Sequence, residues 1–201
     1  YRKLFMNYYY EITLINSIDH SLYHTWSKLF MQLHLAFVET KAAENHASIG
    51  VSFPEYLFNP EVQIGFLGSK LRVFAKSHEE LNNLKINSWL DTLSDYVHIS
   101  SIKSVPHDKV NGYSCYYRKK AVNSLESLVR RRSKRANISL EDAKLFYTNA
   151  PDLLDFPFIQ LQSLSSHHPF KLFIGKNHHE KPVDGTFSLY GLSTISTVPE
   201  F

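Results

Sequence analysis

Apolar residues recur at spacings of three and four through Leu22, Trp26, Leu29, Phe30, Leu33 and Phe37. That period winds one hydrophobic face around a helix and predicts α-structure from Leu22 to about Ala43, with Asp19 or Ser21 as its N-cap. Ahead of it, Tyr8 to Ile15 is β-branched and aromatic with partial alternation, and reads as a strand. Beyond it come two more strands, Ile49 to Phe53, stopped by Pro54, and Lys70 to Ala75. The stretch between them, holding Pro60, Gly65 and Gly68, reads as an irregular loop. Ser77 followed by Glu80 is a capping box that opens a second helix through Trp89 and Leu93, after which Val97 to Lys103 returns as a strand.

Strand, helix, strand, strand, helix, strand is the split βαβ plan. The expected fold class is therefore α+β, with an N-terminal ferredoxin-like (βαββαβ) domain over residues 1–104 and a smaller C-terminal module over 105–201. Tyr1 to Phe5 precede Met6 and read as an upstream or non-native extension. Pro106 to Gly112 reads as a turn or linker. The second module then carries a helix over 123–136 and a further helix capped by Ser139 that runs to about Thr148, with Pro151 as its stop. A short antiparallel β element follows over 157–190, its strands Phe158 to Ser163, Phe170 to Ile174 and Thr186 to Tyr190. The first turn is at His167, His168 and Pro169, and the second at Gly185.

Charge sharpens this division. From Arg118 to Arg135 eight Lys or Arg face one Glu, a net of +7, while the other fourteen basic and eighteen acidic residues net −4. On the helix over 123–136 an advance of about 100° per residue puts Leu125, Leu128, Val129 and Ala136 on one stripe and fans Arg130, Arg131, Lys134 and Arg135 over the other face. Arg132 falls within the apolar stripe, so it must snorkel past the rim or pair with an acid. A cationic face with no acid between Ser127 and Leu140 implies a polyanionic partner, nucleic acid first among them.

Composition narrows the chemistry. The 43% hydrophobic and 14% aromatic content belongs to a folded protein. One cysteine, Cys115, excludes an internal disulfide and a cysteine-based zinc site, which fits a reducing compartment. No apolar run approaches the roughly 20 residues of a spanning helix and no signal pattern is present, so a cytoplasmic protein is expected. The paired histidines, His20 with His24, His167 with His168 and His178 with His179, match no metal-site spacing, and no metal or cofactor is expected. Phosphate-binding glycine loops, nucleophile-elbow serines and paired catalytic carboxylates are lacking. By pattern alone His34 is a core histidine at the edge of the helical stripe, and Ser163, Ser165 and Tyr190 are surface hydroxyls.

Several short segments in register change that reading. They are Leu33 to Val38, Ile49 to Pro54, Val105 to His107, the basic helix, Phe156 to Ser163, Phe170 to Ile174, Tyr190 to Ser193 and the terminal Val198 to Phe201. Together they resemble the CRISPR repeat-cleaving endoribonuclease of type I-F systems, the subunit that trims precursor CRISPR RNA. The resemblance implies His34 as general base or acid, Ser163 as holder of the RNA 2′-hydroxyl and Tyr190 as the residue that orients the imidazole. It implies Phe170 stacking under the stem, Ser165 on the RNA, and Arg130, Arg131, Lys134 and Arg135 along the stem. Arg118 and Lys120 correspond to an Arg and a Gln that read purines at the foot of the stem. Lys120 departs from the family, because Lys favours guanine O6/N7 or a phosphate where Gln pairs with adenine.

The implied reaction is attack of the 2′-hydroxyl on the adjacent phosphate at the 3′ base of the repeat stem-loop, metal-independent, leaving a 2′,3′-cyclic phosphate. The implied partners are the crRNA hairpin, kept after cleavage, and the other Cascade subunits of the interference complex, with a monomer outside it and no membrane. Two other readings stand beside it: a catalytically silent hairpin-binding subunit of the same fold, and a basic structural protein, which would spread its charge widely.

Overall fold

The structure, a computed structural model, describes residues 5–16, 21–40, 46–59, 61, 64–119, 125–146, 156–163 and 166–201, with side chains in the basic helix from Val129 onward. In chain order it contains β1 (Tyr8–Leu14), α1 (Leu22–Glu39), β2 (Gly50–Ser52), β3 (Leu57–Asn59), β4 (Ile64–Phe66) and β5 (Lys70–Ala75). Next come α2 (His78–Asn83), α3 (Ile86–Trp89), a 3-10 turn (Asp91–Leu93), β6 (Val97–Ile99) and β7 (Lys103–Ser104). The remainder is β8 (Gly112–Lys119), α4 (Leu125–Ala136), α5 (Leu140–Leu145), β9 (Phe158–Gln162), β10 (Pro169–His179) and β11 (Val198–Glu200). The architecture is mixed α and β with antiparallel sheets: one ordered β2-β5-β1-β6 with β7 also on β1, one ordered β11-β8-β10-β9, and the hairpin β3-β4.

The central strand β1 buries Tyr10, Ile12 and Leu14 and leaves Tyr9, Glu11 and Thr13 half-exposed. This is the period-2 alternation of a sheet with one face on the core. On the other face Glu11 accepts from Nε of Arg72 at 2.8 Å, directly across on β5. Helix α1 begins where Ser21 accepts from the amide of His24 at 3.4 Å. It ends at Glu39, short of Ala43, with the Thr40 amide donating to Ala36. Its stripe of Trp26, Leu29, Phe30, Leu33 and Phe37 is buried, and the helix packs against β1, α3 and β9.

Several expectations are corrected, among them the strand Val97 to Lys103, which is two short strands, β6 and β7, each paired with β1. The second helix carries the expected capping box of Ser77 and Glu80 but breaks into α2, α3 and the 3-10 turn, with Lys85 left-handed at φ 47°. Leu84 and Ile86 are both buried. Two residues apart, they would point about 200° from each other on a straight helix, so the break is what lets both reach the core. The loop between β2 and β5 contains the hairpin β3-β4.

Strand β8 was hidden in what reads as linker and basic stretch. It lies between β10 and β11 with Ser114, Cys115 and Tyr116 all buried, so no alternation marks it in the sequence. Finally, Thr186 to Tyr190 is not a strand. Phe187 makes a lone bridge to Ala47, and a turn follows in which the Gly191 amide donates to Ser188 at 2.8 Å. The sheet is completed instead by β11, which pairs with β8.

That turn joins the two sheets. The amides of Ala47 and Phe187 exchange hydrogen bonds of 2.9 and 3.1 Å, and the Val51 amide donates to the Gly191 carbonyl at 3.0 Å. The Tyr116 hydroxyl of β8 donates to the Phe53 carbonyl at 3.2 Å. Around these links one core runs from Tyr10, Phe30, Phe53 and Val73 to Tyr116, Ile159, Leu172 and Val198. Among the described residues no helix is long and apolar enough to cross a membrane.

Gly191 has φ +70°, and a Cβ there would lie 2.6 Å from Cγ1 of Val51. Gly191→Ala is therefore expected to destabilise the fold by roughly 1 to 3 kcal/mol, measured as a shift of the urea midpoint with the slope unchanged. An unchanged midpoint would mean the turn is not held as described.

Candidate active site

His34 sits on α1 one turn beyond Phe30, half-buried, and the turn from Ser188 to Gly191 arrives beside it. Nδ1 of His34 lies 2.8 Å from the carbonyl oxygen of Leu189. A carbonyl can only accept, so Nδ1 carries the proton and the neutral ring keeps its lone pair on Nε2. The Tyr190 ring stacks on the imidazole with centroids 4.2 Å apart and planes at 11°, and it is itself nearly parallel to Phe30 at 6.4 Å. One neighbour thus sets the tautomer and the next sets the ring plane. This is how an imidazole is prepared to take or give a proton at one defined atom.

Tyr190 is not a second base. Burial pushes its phenol up, and the positive charge of Arg118 pulls it only part of the way back. It remains a neutral ring at physiological pH. Arg118, exposed near the end of β8, places its guanidinium 5.6 Å from the centre of the Phe170 ring on β10. The register puts Arg118 opposite Ile174, and Phe170 opposite Leu161 of β9. Arg118, Phe170, Tyr190 and His34 are accordingly one connected set drawn from four separated parts of the chain.

Ser163 is positioned by the pairing of β9 with β10. Gln162 faces Pro169, and the Ser163 amide donates to the His168 carbonyl at 3.0 Å. The tip between these strands is tight, with His167 left-handed at φ 55° and the Ser166 amide donating to Oγ of Ser163 at 3.3 Å. Strand β9 packs along α1, the helix that carries His34. Ser165 and Lys120 lie outside the described residues.

The cations of α4 form a different kind of surface. Arg130, Arg131, Lys134 and Arg135 are all on the solvent side, while Val129 is buried and α4 packs on α5. Ala136, expected on the apolar stripe, is exposed at the helix end. Arg132 is half-buried, and its guanidinium lies 3.8 Å over the Phe146 ring just after α5, a cation–π contact that the stripe geometry could not foresee; among the described residues Arg132 forms no ion pair. The residue that pattern reading missed is Leu189, whose contribution is a backbone carbonyl and so leaves no trace in the sequence. Among the described residues no group of three or more His, Cys, Asp or Glu gathers as metal ligands.

A half-buried histidine held in one tautomer, in one set with a stacking tyrosine, an arginine and a second aromatic, in a chain that also carries a cationic helix, is suited to nucleic-acid chemistry, and comparison with known proteins gives it a family. The family described as CRISPR-associated protein (Cas_Csy4) matches residues 9–201. Two relatives carry the name CRISPR-associated endonuclease Cas6/Csy4. The one from Escherichia coli (strain UTI89 / UPEC) is 33% identical over 198 residues, covering 98% of this chain and 100% of the relative. The one from Pseudomonas aeruginosa (strain UCBPP-PA14) is 33% identical over 201 residues, covering 98% and 100%. A solved structure described as "An RAMP protein binding different RNA substrates" aligns over 96% of this chain and 99% of that one at TM-score 0.33 and 11% identity, too distant to bear on function. The chain is a CRISPR-associated protein by class. It belongs to the Csy4 family.

Nitrogen chemical shifts of the His34 ring test the local geometry. The wild type is expected to show the Nδ1-protonated tautomer at alkaline pH, Tyr190→Phe to keep it, and Tyr190→Ala to give a tautomer mixture as the ring loses its stack. A mixture in the wild type would remove the assigned role of the Leu189 carbonyl.

Proposed function

We propose that the chain is an endoribonuclease that cuts CRISPR repeat RNA at the 3′ base of its stem-loop and keeps the hairpin afterwards. The observation that carries this reading is the His34 imidazole, held at Nδ1 by Leu189 and in plane by Tyr190, with Nε2 left to exchange a proton. The ribose 2′-hydroxyl gives its proton to a base, its oxygen bonds to phosphorus, and the bond from phosphorus to the 5′-oxygen breaks. The products are a 2′,3′-cyclic phosphate and a 5′-hydroxyl. Because the nucleophile is internal, no metal-bound hydroxide has to be generated, which supports reading the reaction as metal-independent. His34 takes the 2′-proton or protonates the leaving oxygen, Ser163 aligns the 2′-hydroxyl, and Tyr190 is a positioning residue.

Binding divides in the same reading. Phe170 offers a ring for the terminal base pair, with Arg118, and Lys120 on the same linker, reading the bases at the foot. Ser165 joins the RNA contacts, and the α4 cations take phosphates along the stem. An A-form major groove is too narrow for most elements, but near the end of a short stem a slender helix of long Arg side chains can enter. The strand succession β1-α1-β2-β5-α2-β6 and the order β2-β5-β1-β6 support a ferredoxin-like unit over 1–104, with 105–201 as the RNA-binding module. The protein is placed in the cytoplasm, a monomer until it joins other Cascade subunits on the crRNA.

A repeat hairpin should be cut in EDTA, and a substrate with one deoxyribose before the cut should bind equally and stay intact. His34→Ala should abolish cleavage while keeping affinity within a few fold. A requirement for Mg²⁺ would overturn the 2′-hydroxyl mechanism, and intact RNA with the wild type would leave the silent hairpin binder.

The two binding surfaces should fail differently. Replacing Arg131 and Arg135 by Ala is expected to weaken every hairpin alike and to lower the log-log salt slope by roughly one unit for each phosphate the variant no longer neutralises. Arg118→Ala should cost roughly 1 to 3 kcal/mol on the cognate stem and less on a stem with exchanged bottom pairs. Titrations at several salt concentrations on both stems separate the two. A helix variant that stopped discriminating between the stems while keeping its slope would reverse the assignment.

A further inference from the structure

The turn that brings Leu189 and Tyr190 to His34 is closed by hydrogen bonds within itself and to β2. The Ser188 amide donates to the Leu192 carbonyl and the Gly191 amide to the Ser188 carbonyl, each at 2.8 Å, while the Gly191 carbonyl accepts from the Val51 amide at 3.0 Å. Each of these carbonyls is thus satisfied by another backbone group. The Leu189 carbonyl is different, because its partner is a side chain, Nδ1 of His34 at 2.8 Å. None of the backbone bonds above fixes the direction in which that carbonyl points.

The Ser188 side chain does. Half-buried at the head of the turn, it accepts at Oγ from the Tyr190 amide at 3.4 Å and from the Leu192 amide at 3.3 Å, one for each lone pair of the hydroxyl. A serine that accepts from the amide two residues on is a common turn stabiliser. What gives this one a second role is the peptide group it holds. The Tyr190 amide and the Leu189 carbonyl belong to one planar trans unit, whose N–H and C=O point in opposite directions. That unit is held at both edges, by Ser188 on its N–H and by His34 on its C=O. Rotating it breaks both bonds together, so whatever fixes the N–H also aims the oxygen at Nδ1. Bonds of 3.3 and 3.4 Å are long, and they act on direction more than on energy. We propose that Ser188 is a positioning residue for His34. Its hydroxyl orients the Leu189–Tyr190 peptide, and through that peptide it sets the tautomer of the imidazole and the placing of the Tyr190 ring. The effect on RNA cleavage rests on the endoribonuclease reading above, whereas the effect on the ring does not.

The test uses the full chain and two readouts, the nitrogen chemical shifts of the His34 ring and the single-turnover cleavage rate at saturating repeat hairpin. Ser188→Ala should turn the Nδ1-protonated ring of the wild type into a tautomer mixture. It should also slow cleavage by roughly ten- to a hundredfold, with hairpin affinity unchanged. Ser188→Thr, which keeps the Oγ acceptor, should restore both. Should Ser188→Ala fail to fold, Ser188→Cys, of similar size but with a weak acceptor, carries the same expectation. Urea titration of each variant separates positioning from folding. A serine that only closes the turn would lower the midpoint in Ser188→Ala while leaving ring and rate as in the wild type, and that result would overturn the proposal. So would slow cleavage with an unchanged tautomer, or a folded Ser188→Thr that behaves like Ser188→Ala. If the wild type cuts no repeat RNA, the functional reading falls, and the ring shifts of the wild type and its variants still decide whether Ser188 acts on His34.

Discussion

An edge strand exposes a row of backbone groups that must be paired or protected. In this protein β2 solves that need by taking the segment around Phe187 to Gly191 against it, through the Ala47 bridge and the bond from Val51 to Gly191. The consequence extends well beyond closing an edge. The same few residues carry the Leu189 carbonyl and the Tyr190 ring, so pairing that satisfies the sheet also brings both partners to His34. Gly191 is needed there for two reasons at once, its left-handed backbone and the side chain of Val51 against its Cα.

Helix α1 is the other half of that arrangement. Trp26, Phe30 and His34 follow one another at i, i+4, so they stand in one row on the helix. Phe30 and Tyr190 continue this row into the second sheet's territory as a parallel stack, with His34 at its end. The imidazole is rigid because it terminates a packed aromatic column, while its remaining nitrogen faces away from that column's hydrogen bond. Burial keeps the neighbouring phenol neutral even with Arg118 nearby. The imidazole thus lies against an uncharged ring, with the positive charge of Arg118 near that ring.

The cations are held in two physically different ways. Arg118 is placed by strand register and by its contact with the Phe170 ring. The outward-facing cations of α4 are held only by the helix, and a field made by several such charges attracts a polyanion without needing fixed geometry. Arg132, folded over Phe146, shows what happens to a cation on the inward face: it is spent on packing α4 to α5.

Helical period and β-alternation along single segments were legible without coordinates. The α1 stripe, the Ser77 capping box, β1, β5 and the cationic face of α4 all depend on residues within one turn or one strand of each other, and local spacing records such relations. Resemblance to a known family implied roles for His34, Ser163 and Tyr190, which periodicity alone had left as a core residue and surface hydroxyls, and for Phe170 and Arg118. What the sequence could not contain was anything decided by partners distant in the chain. Strand β8 lacks alternation because neighbours cover both its faces, and the break at Lys85 follows from a core that needs both Leu84 and Ile86. Thr186 to Tyr190 has the composition of a strand, yet it becomes a bridge and a turn because β2 offers it a few hydrogen bonds and Gly191 reverses the chain. The tautomer of His34 is set by a carbonyl 155 residues away, and a backbone oxygen has no letter in the sequence.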